Sequence, residues 1–476
     1  MKRLLLSIIF LFSVFITLQA QRLISGTSIG TRTAAQLTID TGIPMPNDVF
    51  LYKIRYETPD LYGVTDTASG LLVIPDIPGQ LPLVCYQHGT VGEKAAIPSN
   101  LQSEAVIAMA MSSLGYAVIA PDYLGLGDSR GFHPYMHAES EASVAIDMIK
   151  ATKDFAPSIM LDLSDQLFIT GYSQGGHAAM ALFRELETNH SMDLPVTAAA
   201  PMSGPYSVSG VMVDQLFLPD PYFYPAYLPY TLNSYQMAYG NIYSSLSELY
   251  RPGYDSLVQD FLDRNITMGQ LNNGLINKLT QDFGAPIARM MFLDSMQTVI
   301  RTDSMHPFNV AMRLNDVYDW TPQAPMRMFY CEADDQVFFQ NSIVADSVMN
   351  ARGAANVKAM SVGETLDHVD CATPAALNTL FFFNPFLPSN SIKKDQLLDL
   401  FWHLDQQGNG FVFQMATPSL QTASFRFSDL QGRTLVQAEV SLAHRQEIPL
   451  GELTAGVYLA EIISPEGLWR KKIWVK

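Results

Sequence analysis

The sequence predicts an α/β protein in which a mostly parallel sheet carries helices on both faces. One observation indicates this class, and a second indicates a further region. Apolar runs typical of strands alternate with helix-compatible runs from about residue 51 to residue 383, and such alternation favours parallel strands joined by helices. Beyond residue 410 the apolar residues recur with a period of two, so a small all-β region is expected at the C-terminal end.

Composition and charge narrow the classes of function. The 476 residues exceed one ordinary domain, and 48% hydrophobic against 16% charged residues indicate a globular chain. The formal net charge of −17 argues against nucleic acid and anionic lipid headgroups as partners, because binding either needs clustered Lys and Arg. An acidic secreted protein is the plainer interpretation.

The first twenty residues have the pattern of a signal peptide. Lys2 and Arg3 precede an apolar run that ends at Leu18, and Ala20 stands before the expected cleavage point at Gln21. A membrane anchor is the alternative, but the run is short for a membrane span and no comparable stretch follows. We therefore expect the chain to be exported.

A Gly-x-Ser-x-Gly motif from Gly171 to Gly175 is the most informative stretch. A β-rich run enters it and a helix-forming run leaves it, which is the context of a sharp turn that presents a reactive serine. A Cβ would collide at either glycine position. Ser173 is therefore the candidate nucleophile, and the backbone N–H of Gln174 is a candidate oxyanion donor. The alternative is a Gly-rich turn with an incidental serine.

An activated serine needs a base and an acid that orients the base. Asp334 and Asp335 follow a predicted late strand, and both are candidates for the acid. His368 follows the last predicted core strand, and no other histidine has that position, so it is the candidate base. These residues require no metal and no organic cofactor, and the chain has no His-Glu-x-x-His or paired Cys-x-x-Cys motif.

The three cysteines cannot all pair within the chain. Cys331 precedes Asp334 by three residues and Cys371 follows His368 by three. Because the acid and the base must touch, their loops converge, and we hypothesise a disulfide between Cys331 and Cys371. Two buried thiols are the alternative. Cys85 lies in an apolar run and is expected to be a small buried hydrophobic residue.

Residues 205–320 interrupt the alternation of strands and helices. Aromatic and proline residues are concentrated at 217–230 and are followed by amphipathic helical pieces. The segment is too long for a loop, so we predict a mostly helical cap inserted between core strands. Tyr224 and Tyr227 from this segment, with Tyr172 beside the serine, are candidate substrate contacts. Alternatively, the aromatic residues form the core of the insertion or a dimer surface.

Taken together, these motifs resemble the secretory lipase and esterase branch of the α/β-hydrolases. The resemblance rests on the Pro-Asp-Tyr-Leu-Gly-Leu-Gly-Asp run at 121–128, the His-Pro-Tyr at 133–135, the serine motif at 171–176 and the large insertion after it. It covers about residues 51–383. It implies an α/β-hydrolase fold with an eight-stranded, mostly parallel sheet.

The resemblance also assigns roles to single residues. It implies a catalytic triad of Ser173, Asp334 and His368, with Asp335 as the alternate acid. Asp334 lies three residues before Val337, as in the family's Gly-x-x-Asp-x-x-Val pattern, although Cys331 stands where the family has the glycine. An apolar strand that ends in His-Gly is similar to the loop that supplies the second oxyanion donor in this family. That donor is the backbone N–H of Thr90, and the preceding His88 is expected to position the loop.

The C-terminal region resembles a second known family. Residues 429–433, 453–459 and 471–476 are similar to the type A sorting domain of type IX secretion in Bacteroidetes. This resemblance implies transit through the periplasm and the outer membrane, the type IX secretion machinery as a partner, a secreted or cell-surface location, and removal of the domain. A carbohydrate-binding or protein-binding β-sandwich is the alternative.

The sequence therefore predicts four segments. They are a signal peptide at 1–20, a hydrolase domain at 21–404 with a cap at about 205–320, a linker at 405–410, and a β-sandwich at 411–476. The expected function is cleavage of carboxylic esters of small molecules or lipids by a secreted serine hydrolase. A serine peptidase could use the same triad, although no propeller-like repeat precedes the motif. The ordered triad argues against a catalytically inactive binding protein.

Overall fold

The structure is a computed structural model of the chain. The predicted signal peptide and residues 405–409 of the predicted linker lie outside the residues that it describes. The described residues are 22–102, 104–387, 402–404, 410–413, 422–429, 432–441, 446–464 and 467–475.

A nine-stranded sheet forms the centre of the larger domain. Its strands lie in the spatial order β1-β2-β3-β5-β4-β6-β7-β8-β9, and β1 and β3 run against the other seven. The sheet is therefore mostly parallel, as the alternation of strands and helices predicts. The strands are β1 (Leu23–Arg32), β2 (Val49–Pro59), β3 (Thr65–Pro75), β4 (Leu81–Gln87), β5 (Ala117–Pro121), β6 (Leu163–Tyr172), β7 (Ala198–Met202), β8 (Met326–Cys331) and β9 (Val357–Gly363).

The prediction of eight strands is wrong by one, and the additional strand is β1. It pairs antiparallel with β2 at the edge of the sheet. Its residues are rich in Gly, Ser and Thr, and all of them are exposed or half-buried. A strand of this kind lacks the apolar alternation from which strands are predicted.

Helices flank the sheet and also form the insertion. Short 3-10 helices occur at Pro98–Asn100, Ala156–Ile159, Leu246–Glu248, Ala288–Met291 and Asn384–Phe386. No helix among the described residues has the length and apolar character that a membrane crossing requires. The described α-helices are α1 (Ala34–Thr41), α2 (Ala105–Ser113), α3 (Ala138–Phe155), α4 (Gln174–Asn189), α5 (Val211–Leu216), α6 (Tyr227–Tyr239), α7 (Tyr254–Leu262), α8 (Met268–Phe283), α9 (Asp294–Thr302), α10 (Pro307–Leu314), α11 (Gln340–Ala351) and α12 (His368–Phe383).

Two apolar cores lie on opposite faces of the sheet. Side chains of a strand point alternately to the two faces. In β4, Val84 and Tyr86 accordingly join the core beneath α1, α2 and α12, whereas Leu83 and Cys85 join the core beneath α3, α4 and α11. This three-layer arrangement brings the carboxyl ends of the parallel strands to one edge, where the chain turns into its helices.

Helices α5 to α10 lie between β7 and β8, and form a helical insertion at the position that the sequence predicts. The insertion has a core of its own, in which Tyr235, Tyr250 and Phe292 are almost fully buried. Tyr230 belongs to the same core. Part of the aromatic segment therefore stabilises the insertion, which is one of the two alternatives for that segment.

The C-terminal region is all-β within its described residues. Its strands form two antiparallel sheets, β10-β11-β14 and β13-β12-β15-β16. Because Trp402–Leu404 pairs with the strand that begins at Gly410, the all-β region begins before the predicted linker at 405–410. The strands are β10 (Trp402–Leu404), β11 (Gly410–Phe413), β12 (Thr422–Asp429), β13 (Thr434–Ser441), β14 (Gln446–Pro449), β15 (Gly456–Ser464) and β16 (Gly467–Val475).

Candidate active site

Ser173 occupies a strained turn between β6 and α4. Its φ is 60° and its ψ is −122°, a conformation that residues with a side chain rarely adopt. A Cβ at Gly171 would lie 2.3 Å from the carbonyl oxygen of Gly175, and a Cβ at Gly175 would lie 2.0 Å from that of Gln87. Both glycines are therefore required for close backbone approach, which explains the spacing of the motif.

Asp334 and His368 form a buried pair. The Nδ1 atom of His368 lies 2.7 Å from the Oδ2 atom of Asp334, and both side chains are almost fully buried. The Oδ1 atom of Asp334 accepts hydrogen bonds from the backbone N–H groups of Gln336 (3.0 Å) and Val337 (2.8 Å). The carboxylate is thus held in one orientation, with one oxygen directed at the imidazole ring.

Asp335, the alternate acid, has a different role in the structure. Its Oδ1 atom accepts a hydrogen bond from the backbone N–H of His368 at 3.3 Å. It therefore contacts the main chain at the start of α12, while Asp334 contacts the ring. Of the two candidates, only Asp334 is placed to orient the imidazole.

Tyr172 connects the base to the serine turn. Its hydroxyl donates to the backbone carbonyl oxygen of His368 at 2.5 Å, and the two rings lie 5.0 Å apart. His368 is therefore packed against the residue that directly precedes Ser173. The sequence suggests Tyr172 as a substrate contact. In the structure its hydroxyl instead donates to the backbone of His368, the candidate base.

A disulfide joins the acid loop to the base helix. Cys331 and Cys371 are bonded, and their Cα atoms lie 5.9 Å apart, which is within the usual range for a disulfide. Cys331 ends β8 and Cys371 lies in the first turn of α12. The hypothesised pairing is present, and it links the two segments that carry Asp334 and His368. Cys85 is a free, buried cysteine, as expected from its apolar run.

Ser173 faces an apolar cavity between the sheet and the insertion. The space in front of Ser173 measures about 1010 Å³ when the part that is open to solvent is counted. Most of its walls come from aliphatic, methionine and aromatic side chains, and such walls favour an apolar ligand. Besides Ser173 and Gln174, the lining includes Tyr135, Met136, Val208, Met212, Val213, Leu216, Tyr222, Tyr227, Leu228, Leu232, Phe292, Phe308, Met312 and Val337.

The two insertion tyrosines that we predict as substrate contacts lie in different places. Tyr227 lines the cavity, and its hydroxyl donates to the Oε1 atom of Gln336 at 2.9 Å. Tyr224 is not part of the lining, but its ring stacks on that of Tyr227 at 5.8 Å. Tyr227 is thus placed to contact a ligand directly, whereas Tyr224 packs against the ring of Tyr227.

Gln174, one of the two predicted oxyanion donors, directly follows the candidate nucleophile. Gln174 is the first residue of α4, and the first N–H groups of a helix have no acceptor within the helix. A Cβ at Gly89 would lie 3.4 Å from the carbonyl oxygen of Tyr172, so the loop that carries Thr90 passes directly beside the serine turn. The N–H of Gln174 is therefore next to Ser173, whereas Thr90 follows a residue that borders the serine turn and is not part of the cavity lining.

Glu104 fixes this loop, and no sequence signal pointed to it. Its Oε2 atom accepts hydrogen bonds from the hydroxyl of Tyr86 (2.5 Å) and from the backbone N–H of Gly89 (2.9 Å). His88 is fully buried, and its ring nitrogens face the backbone carbonyl oxygens of Gly89 (2.7 Å) and Asp122 (3.4 Å). Burial lowers the pKa of His88, in agreement with its expected role in positioning the loop.

A buried polar network lies beneath Gln174. Its side-chain amide donates to the Oε1 atom of Glu141 (3.0 Å) and to the Nε2 atom of His133 (2.8 Å). The other carboxylate oxygen of Glu141 lies 2.7 Å from the Nδ1 atom of His177, whose Nε2 atom lies 2.9 Å from the carbonyl oxygen of Asn315. The network therefore connects the serine turn to the end of the insertion.

One residue of this network, Glu141, has a signal in the sequence. Glu141 precedes Ala145 by four residues and Met148 by seven, so it lies on the apolar face of α3. A carboxylate on a buried helical face needs a partner. His133 is held neutral, because burial lowers its pKa to about 4. Its Nδ1–H then donates to the carbonyl oxygen of Leu124 at 2.8 Å.

The secretory lipase family model matches residues 93–381, which are more than half of the chain. The chain belongs to the secretory lipase family. The matched range contains Ser173, Asp334 and His368. Membership of this family indicates a secreted protein. The comparison with curated proteins gives no match.

Solved structures of similar fold are consistent with this membership. A candidate hydrolase from Legionella pneumophila is 29% identical, with a TM-score of 0.70 over 78% of this chain and 100% of that one. The rice cell wall degrading esterase LipA from Xanthomonas oryzae is 25% identical, with a TM-score of 0.66 over 76% of this chain and 95% of its own. These similarities support a hydrolase of the lipase and esterase kind.

The closed form of lipase A from Candida antarctica shares the fold alone. It is 13% identical, with a TM-score of 0.58 over 79% of this chain and 88% of that one. At this identity the similarity supports the α/β-hydrolase architecture of this secretory lipase family member, with its mixed sheet.

Proposed function

We propose that the chain is a secreted serine hydrolase that cleaves carboxylic esters with an apolar acyl group. The observation that carries the proposal is the hydrogen-bonded pair of Asp334 and His368. His368 packs against Tyr172, which directly precedes Ser173 in its strained turn. Ser173 in turn lines an apolar cavity. The esterase from Xanthomonas oryzae supports the choice of an ester bond, because it shares this fold at 25% identity.

The first half of the proposed reaction forms an acyl-enzyme. The Oγ atom of Ser173 attacks the ester carbonyl carbon while the Nε2 atom of His368 takes the hydroxyl proton. Asp334 keeps the other ring nitrogen in its N–H form and stabilises the imidazolium. The tetrahedral intermediate then collapses, and His368 gives the proton to the departing alcohol oxygen as the ester bond breaks.

The second half returns the enzyme to its starting state. His368 takes a proton from water, the resulting hydroxide attacks the acyl carbon, and Ser173 leaves with the proton that His368 returns. In both halves the negative oxygen accepts hydrogen bonds from the backbone N–H groups of Gln174 and Thr90. Losing one such donor typically costs about 3 kcal/mol of barrier.

The apolar cavity is the proposed site of the acyl chain. Each CH₂ group moved from water into apolar surroundings contributes about 0.8 kcal/mol, or roughly a fourfold gain in binding per group. Residues Met212, Leu216 and Leu228 from α5 and α6 line this space. On this proposal the helical insertion acts as a cap that holds the acyl chain above Ser173.

Hydrolysis of p-nitrophenyl esters of graded chain length tests the proposal. We expect kcat/KM to rise from acetate to octanoate, with no comparable cleavage of aminoacyl p-nitroanilides, and Ser173→Ala to abolish ester cleavage. Efficient cleavage of the anilides would favour the serine peptidase instead. Ester turnover by Ser173→Ala at the rate of the unmodified enzyme would refute the assignment of the nucleophile.

We further propose that the C-terminal all-β region is a type IX sorting domain. Its resemblance to such domains rests on residues 429–433, 453–459 and 471–476. The proposed route is export by the signal peptide at 1–20, folding in the periplasm, passage through the outer membrane, and removal of the domain. The partner would be the type IX secretion machinery, and the product would be secreted or held at the cell surface.

Expression in a host with type IX secretion tests the proposed route. In that host we expect extracellular esterase activity and a product shortened at its C-terminal end. In an otherwise identical host that lacks the type IX translocon, we expect the full-length mature chain to stay in the periplasm. Equal extracellular activity in both hosts would refute the route without affecting the proposed chemistry.

A further inference from the structure

Thr90 and Tyr135 form a hydroxyl pair, and Tyr135 lines the same cavity as the proposed nucleophile. The Oγ1 atom of Thr90 lies 3.0 Å from the hydroxyl oxygen of Tyr135. Two hydroxyl groups carry two protons, and one hydrogen bond between them uses only one. Neither hydroxyl has a further hydrogen-bond partner among the residues that the structure describes. One proton of the pair is therefore left to donate.

The position of the two residues indicates that the proton left to donate is that of Tyr135. Tyr135 lines the cavity together with Ser173 and Gln174, whereas Thr90 is not part of that lining. The loop that carries Thr90 passes beside the serine turn, because a Cβ at Gly89 would lie 3.4 Å from the carbonyl oxygen of Tyr172. Tyr135 thus contacts the oxyanion loop through its hydroxyl and also lines the space that a substrate would occupy.

Packing holds the ring of Tyr135 in place. The side chain is 5% exposed, and its ring stacks on that of Tyr230 at 4.5 Å with an interplanar angle of 3°. Burial raises the pKa of Tyr135, so its hydroxyl keeps the proton. A fixed, neutral donor of this kind needs no reorganisation when negative charge develops next to it.

We propose that Tyr135 is a third oxyanion donor, a catalytic residue in addition to the triad. The hydroxyl of Thr90 donates to the oxygen of Tyr135, and the hydroxyl of Tyr135 donates to the negative oxygen of the tetrahedral intermediate. Accepting one hydrogen bond strengthens a hydroxyl as a donor in the next. This proposal rests on the proposed function, since an oxyanion forms only if Ser173 attacks a carbonyl group.

The variant Tyr135→Phe removes the hydroxyl and keeps the stacked ring. With the full-length mature chain and p-nitrophenyl octanoate, we expect kcat to fall about 100-fold to 1,000-fold, with KM changed less than about threefold. A boronic acid that forms a tetrahedral adduct on the serine should lose affinity by a similar factor. Thr90→Val should lower kcat about tenfold by removing the donor to Tyr135, and Thr90→Ser should restore it.

Tyr250→Phe is the matched control, because it also removes the hydroxyl of a buried tyrosine, but one that lies in the core of the insertion. We expect its kcat to stay within about threefold of the unmodified enzyme. The proposal is overturned if Tyr135→Phe keeps kcat within threefold, if it loses kcat without losing affinity for the boronic acid, or if Thr90→Val is the more damaging change. Absence of esterase activity in the unmodified enzyme would overturn the proposed function as well.

Discussion

The Nδ1 atom of His368 lies 2.7 Å from the Oδ2 atom of Asp334, and the two residues are 34 positions apart in the sequence. This contact occupies one ring nitrogen of His368 and leaves Nε2 as the nitrogen that can exchange a proton with a nucleophile. Because Asp334 is itself held by two backbone N–H groups, the orientation of the ring is set by the fold.

Replacing Asp334 with asparagine should lower kcat by about 10⁴-fold, because an amide favours the wrong tautomer of the histidine. The change leaves the shape of the side chain nearly the same, so KM should change little. Asp335→Asn is the matched control, since Asp335 accepts a hydrogen bond from the backbone N–H of His368 and not from its ring, and it should lower kcat less than about tenfold. Equal losses in the two variants would contradict the assignment of Asp334 as the acid.

Acid should destabilise the protein through His133. Its pKa is about 4 in the folded state and about 6.5 in an unfolded chain, so between these values the unfolded state binds more protons. The contribution of neutral His133 to the free energy of unfolding amounts to about 3 kcal/mol. It is complete above about pH 6.5 and declines as the pH falls toward 4. Melting temperatures from pH 7 to pH 4 should therefore fall less steeply in His133→Gln than in the unmodified protein. Parallel curves would contradict this account.

Acid should also destabilise the protein through Glu141, which belongs to the same buried network as His133, but at a lower pH. Burial raises the pKa of Glu141, but His177 and the other hydrogen-bond partners outweigh burial and lower the pKa overall. Its carboxylate therefore stabilises the fold above about pH 4.5, and this contribution is lost as the pH falls through the lowered value. Stability that stayed constant on acidification below pH 4.5 would contradict this sign.

Loss of the Cys331–Cys371 disulfide should destabilise the hydrolase domain. The bond closes a segment of 40 residues, and for this length the chain-entropy model gives about 4 kcal/mol. The double variant Cys331→Ser, Cys371→Ser should unfold at a lower denaturant concentration, as measured by tryptophan fluorescence. A thiol reductant should lower the midpoint of the unmodified protein and leave that of the double variant unchanged. A midpoint that did not respond in either protein would show that the bond adds no stability.

Filling the cavity should shift the preference for acyl chains. Leu216 lines the cavity and is half-buried, so Leu216→Trp should lower kcat/KM for octanoate at least about tenfold by excluding several CH₂ groups, while acetate stays within about threefold. Ile39→Trp is a suitable control, because Ile39 is 81% exposed on α1. A uniform loss across all chain lengths would place the acyl chain elsewhere.

Much of this site is predictable because its chemistry depends on local spacing. The strand, turn and helix around Ser173 are contiguous in the sequence, and Asp334 and His368 each follow a recognisable strand. Chain order alone then assigns their roles. The helical insertion is equally visible, since residues 205–320 lack the alternation of the core.

The remaining features depend on contacts that the sequence pattern does not show. Glu104 meets Gly89 only because the chain folds back after the oxyanion loop, and Tyr172 reaches the carbonyl oxygen of His368 across 196 residues. Strand β1 lies at an exposed edge of the sheet, so its sequence does not alternate between apolar and polar residues. Predictions failed where tertiary packing, and not local pattern, determines the role of a residue.

Labelling of the enzyme with a fluorophosphonate, followed by mass spectrometry of its peptides, tests whether Ser173 is the nucleophile. We expect a single phosphonylated serine, Ser173, with ester hydrolysis lost in proportion to labelling, and neither labelling nor hydrolysis in Ser173→Ala. A label on another residue, or full esterase activity after complete labelling of Ser173, would contradict this assignment.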